Sequence, residues 1–131
     1  NLLINKIELD HDAPVEEMAY SADGNTVYTI NTYGKVSSFN TATGELRWNV
    51  KLDESSADHG ATRNPRLWYD AESGIIVCYY DFIFSGLDAH SGKVCWQKAV
   101  ENYMDSDVYF DANEKTFAYF EQKYIENQCF I

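Results

Sequence analysis

Histidine, cysteine and carboxylate side chains are the groups here best able to do chemistry, and their spacing decides what they can do. The three histidines are His11, His59 and His90. Asp10-His11-Asp12 sets an imidazole between two carboxylates, the makings of a weak cation site. Neighbouring strand residues point to opposite faces, so only a loop could gather them, and the segment reads as an exposed, solvated linker. Asp58-His59 and His90 read as solvent-facing. Cys78, Cys95 and Cys129 are an odd set with no C-x-x-C spacing, which argues against a zinc ribbon and supplies no disulfide framework. Cys78 and Cys95 fall in apolar strands, where a small buried thiol is the ordinary role. A G-x-S-x-G elbow is absent, and the seven glycines are dispersed among turns instead of gathered to cradle phosphate. The carboxylates follow no pairing pattern that would assign a general acid or base. No catalytic, metal or cofactor-binding residue is assigned on these grounds.

The elements that position these groups are strands. The chain has 131 residues, 45% of them hydrophobic and 15% aromatic, with only two prolines. That is enough for a real core, and the tyrosines and phenylalanines suit pleated sheet. The class is all-β. A formal net charge of −11 repels phosphate backbones and anionic bilayers, so nucleic acid is excluded as a partner. No run approaches the roughly 18 apolar residues of a membrane span.

The dominant feature is an internal repeat. Phe39-Asn40-x-x-Thr43-Gly44-Glu45-x-x-Trp48 recurs as Leu87-Asp88-x-x-Ser91-Gly92-Lys93-x-x-Trp96, each matched position 48 residues on. At the same offset Val27-Tyr28-Thr29-Ile30 falls on Ile75-Ile76-Val77-Cys78. Around these matches the chain alternates short apolar runs with turns. The expected strands are 15–20, 27–32, 35–40 and 46–52 in one unit, and 65–69, 75–80, 82–88 and 93–100 in the next. Leu46, Trp48, Val50 and Leu52 alternate with Arg47, Asn49 and Lys51, the period of a half-buried strand.

The organisation is one segment in four pieces: 1–10 as the last strand of a preceding unit, 14–53 and 64–100 as complete units, and 106–131 as a partial one. Four-stranded units of this kind bury their faces against neighbouring units, and propellers close with about four to eight of them. About three units cannot close, so the expectation is a piece of a longer chain, an assembly completed by a partner, or an oligomer. The connection Asp53–Thr62, with Asp53, Glu54, Asp58 and His59, exceeds the usual length of about 4–6 residues; it is either a solvated link or a loop that meets a partner. Tyr79-Tyr80-Asp81-Phe82-Ile83-Phe84 reads as core, covered on both faces by adjacent units.

Thr43-Gly44-Glu45-Leu46-Arg47-Trp48, with Phe39-Asn40 before it, resembles the tryptophan-docking repeat of quinoprotein-like (PQQ-like) β-propellers, roughly A-x-D-x-x-T-G-x-x-x-W. Leu87-Asp88 through Ser91-Gly92 to Trp96 resembles it equally, with Ser for Thr. Asn40 departs from the usual Asp, and the third unit shows neither the Gly nor the Trp. Ser21-Ala22-Asp23-Gly24 also resembles the turn of WD-repeat (WD40-like) propellers, but their Trp-Asp pair closes the third strand whereas Trp48 and Trp96 fall in the fourth. The resemblance implies an antiparallel four-stranded blade, a tight turn ended by Gly44 or Gly92, and docking of Trp48 and Trp96 between blades, so that Thr43, Gly44, Trp48, Ser91, Gly92 and Trp96 form a structural motif. It further implies a non-catalytic scaffold holding other protein subunits or the rest of its own chain, in the ER lumen, the periplasm or another extracytoplasmic space. Two other roles are implied by relatives: a quinoprotein dehydrogenase binding PQQ and calcium through groups drawn from many blades, and a sensor that takes unfolded chains or peptides at sheet edges.

Overall fold

A computed structural model describes residues 13–53 and 65–99 with their side chains, together with the backbone of three further strands. The first sheet contains β1 (Val15–Tyr20), β2 (Thr26–Asn31), β3 (Lys35–Asn40) and β4 (Leu46–Lys51). The second contains β5 (Arg66–Asp70), β6 (Ile75–Tyr80), β7 (Ile83–Asp88) and β8 (Val94–Ala99). In each, sequential strands pair antiparallel in chain order. A third sheet holds β9 (Tyr109–Asp111), β10 (Thr116–Tyr119) and β11 (Lys123–Glu126). The protein is therefore all-β, built of antiparallel propeller blades. The expected strand within residues 1–10 lies outside the described residues.

Burial explains the strand types. The second strands, TVYTIN and IIVCYY, are buried along their whole length, because each lies in mid-sheet with material on both faces. The fourth strands are largely exposed, which suits the alternation Leu46-Arg47-Trp48-Asn49. The first two sheets stack through one core in which Tyr28, Ile30, Val36 and Leu52 meet Leu67, Ile76, Cys78, Tyr80 and Leu87. Ile75, Val77, Tyr79 and Phe84 form a second cluster on the other face of the second sheet. The aromatic run is thus divided between two cores.

One register differs from the sequence alignment. The third strands and the docking turns keep the offset of 48, but Tyr28 lies opposite Ser38 while Val77 lies opposite Gly86. Tyr28 therefore corresponds to Val77, not Ile76, and the second strands are offset by one further residue. The reason is the turn. The first sheet joins β2 to β3 through Thr32, Tyr33 and Gly34, the second joins β6 to β7 through Asp81 and Phe82 alone. Both of those residues have positive φ, 51° and 67°, as a two-residue hairpin with matching twist requires. The backbone N–H of Phe82 donates to Tyr79 Oη at 2.9 Å. A one-residue change of register moves every side chain to the opposite face, so the alignment by residue type misassigned the facing of β6.

Candidate functional site

The repeated motif builds two superimposable turns. In the first, Asn40 Oδ1 accepts from the backbone N–H groups of Ala42 and Thr43 at 2.8 and 3.0 Å. In the second, Asp88 Oδ1 accepts from those of His90 and Ser91 at 2.9 and 3.0 Å. The N–H of Gly44 donates to Asn40 O at 2.7 Å, and that of Gly92 to Asp88 O at 2.8 Å. Thr43 Oγ1 and Ser91 Oγ each accept from the N–H two residues on, both at 3.2 Å. Such Asx turns need only a side-chain acceptor, which is why Asn40 serves in the place where the resemblance expects Asp. Electrically the two differ: the N–H groups around Asp88 hold its carboxyl below the ordinary carboxylate range, whereas Asn40 carries no charge.

Trp48 crosses from the first sheet to the second. Its indole lies on Gly92, whose φ is +79° and where an added Cβ would sit 2.6 Å from the ring. Its Nε1–H donates to Ala89 O at 3.1 Å. The same turn thus ends on a glycine for two reasons, its left-handed backbone and the ring against it. Trp96 packs on Gly86 of its own sheet, beside the second apolar cluster, and the docking expected of it falls on residues outside the described ones.

Other contacts close the seam between the two blades. Glu17 Oε1 accepts from Arg66 Nε at 2.8 Å and from the Leu67 N–H at 2.9 Å, tying β1 to β5. Tyr28 and Tyr69 set their rings 5.1 Å apart, and Lys51 Nζ lies 4.8 Å from the centre of the Tyr80 ring. Sequence reading missed all of these, because their partners lie on different repeats and only the stacking of blades brings them together.

The remaining groups singled out from the sequence are dispersed. Asp53 is exposed, and Glu54, Asp58 and His59 lie outside the described residues, as do Asp10, His11 and Asp12. His90 sits in the second docking turn. Cys78 is free and wholly buried, and burial in apolar surroundings pushes its thiol far up. Cys95 corrects the expectation of two buried thiols and no disulfide: it is disulfide-bonded. Among the described residues no three His, Cys, Asp or Glu side chains gather into a cation site. Nor is any helix among them long and apolar enough to cross a membrane.

Comparison with known proteins gives a consistent picture. A family model described as outer membrane protein assembly factor BamB matches residues 7–108. No curated protein sequence matches. Among solved structures, BamB from Moraxella catarrhalis is similar at 21% identity and a TM-score of 0.56, over 85% of this chain and 32% of that one. U3-55K is similar at 8% identity and a TM-score of 0.67, over 90% and 40% of the two chains. AztD from Citrobacter koseri is similar at 18% identity and a TM-score of 0.55, over 70% and 25%. At these identities the likeness is one of fold, and the chain spans about a third of the length of the BamB structure.

Proposed function

Because the chain belongs to the family of the assembly factor BamB, a family of PQQ-like β-propellers, we propose that it is a segment of a non-catalytic propeller that holds other proteins in an assembly. The observation that carries this reading is the use made of its polar side chains. Asn40, Asp88, Thr43 and Ser91 are occupied in shaping turns. Glu17 joins blades, while Asp23 and Asp70 accept hydrogen bonds inside their own turns. Groups engaged in this way are held by the scaffold and are poorly placed to act on a substrate. A scaffold needs only a rigid frame whose loops and edges meet partners, and fold likeness alone does not select the partner.

The frame works in an extracytoplasmic space on this reading. The disulfide at Cys95 supports it, since such bonds persist in oxidising compartments. No cofactor enters the proposal. The test is native purification of the intact protein after mild cross-linking, followed by mass measurement of the complex. A partner protein in fixed stoichiometry is expected. A monodisperse protein without partners, or one carrying a quinone absorbance band, would overturn the reading.

A further inference from the structure

The seam between the first two blades opens, at the end carrying the docking turns, into a cleft of about 320 Å³. Tyr28, Ser38 and Arg47 line it from the first sheet, with Tyr69, Asp88 and His90 from the second. The volume is at the small end of ligand pockets, which run from about 300 to 1,000 Å³.

One of these groups lacks the partner that a purely structural role would give it. Ser38 is 1% exposed, yet its hydroxyl has no hydrogen-bond partner among the described residues. A buried polar group left unpaired is costly and calls for an explanation. The Arg47 guanidinium is exposed and, among the described residues, reaches only the Asn25 carbonyl, at 3.5 Å, the outer limit of a hydrogen bond. Asp88, by contrast, is already committed: its Oδ1 accepts from His90 N, Ser91 N and Ser91 Oγ. It does not compete for Arg47 at bonding distance.

The repeat supplies a control. In the second sheet the positions of Tyr28, Ser38 and Arg47 are held by Val77, Gly86 and Cys95. The docking turn, the glycine and the indole recur between the two blades, whereas the phenol, the hydroxyl and the guanidinium do not. These three side chains are therefore not demanded by the blade architecture.

We propose that this cleft is a binding site for a small carboxylate, with Arg47 as its cation and Ser38 as a buried hydroxyl donor. The guanidinium fork matches a carboxylate in two parallel hydrogen bonds, and Ser38 donates from the floor. Tyr28 and Tyr69 form an aromatic wall against which the carbon portion of the ligand packs. The carboxylate belongs either to a free metabolite of amino-acid size or to the end or acidic side chain of a polypeptide. The site stands independently of the scaffold reading.

Calorimetric titration of the intact protein tests it with three probes: N-acetylglycine, N-acetylglutamic acid α-amide and uncharged N-acetylglycinamide. Both carboxylates are expected to bind saturably and the amide not at all. Arg47→Gln should weaken binding about tenfold, the scale of a hydrogen bond to a charged group. Ser38→Ala should weaken it a few-fold while leaving thermal stability unchanged or raised, which separates loss of binding from loss of fold. Preference for N-acetylglycine points to a chain terminus or small metabolite, and preference for the glutamic acid amide to an acidic side chain. Equal binding of the amide, indifference to Arg47→Gln, or no binding by either carboxylate would overturn the proposal.

Discussion

Trp48 and Trp96 hold the same place in consecutive repeats, yet they rest on different ground. Opposite Trp48 in its own sheet stands Ser38, and the indole extends across the seam to Gly92 and the Ala89 carbonyl. Opposite Trp96 stands Gly86, and there the ring lies down on the strand where any Cβ would collide with it. The Nε1–H of Trp48 is satisfied in the neighbouring blade, and that of Trp96 is buried with no acceptor among the described residues. The repeated motif shapes the same turn twice, while the residue across the sheet from each indole differs, Ser38 in one copy and Gly86 in the other.

Substitution can break that comparison. Trp48→Ala should cost about 3–5 kcal/mol in chemical denaturation, the range for emptying a large buried site. A loss below about 1 kcal/mol would remove its role as the clamp of the seam. Gly86→Ala should destabilise by about 1–3 kcal/mol as overpacking does, because the new methyl meets the Trp96 ring.

Acid sharpens the contrast between the two docking turns. The folded pKa of Asp88 is depressed below its ordinary 3.8, so its contribution is present above that value and is lost as pH falls through the folded pKa. Asn40 does not titrate. Asp88→Asn is therefore expected to flatten part of the acid limb of a stability-versus-pH curve while keeping the turn, as Asn40 already does. The effect is small, since the carboxylate is largely solvated and screened. An acid limb unchanged by the substitution would count against the role given to Asp88. Finally, thiol labelling of the unreduced chain should reach Cys78 only after unfolding and Cys95 not at all. Labelling of Cys95 without reductant would contradict its bond.

Much of the architecture was legible. Turn residues act locally: Asn40 with Thr43 and Gly44, or Asp88 with Ser91 and Gly92, close their hydrogen bonds within a few positions, so residue type and spacing suffice to read them. The facing of β6 was not, because Asp81 and Phe82 adopt positive φ without the glycine that would announce a two-residue turn. The expected scaffold motif was found by its repetition. The Ser38–Arg47 cleft was not, since neither residue belongs to any repeated pattern.

The sequence alone determined the strands, the four-stranded unit and the form of its turns, since these depend on neighbours along the chain. Only the tertiary structure decided that Glu17 meets Arg66, that Trp48 reaches Ala89 and that Cys95 is bonded. The first two join groups that stacking of sheets brings together across tens of residues, and no local preference encodes which residue of one blade will face which residue of the next.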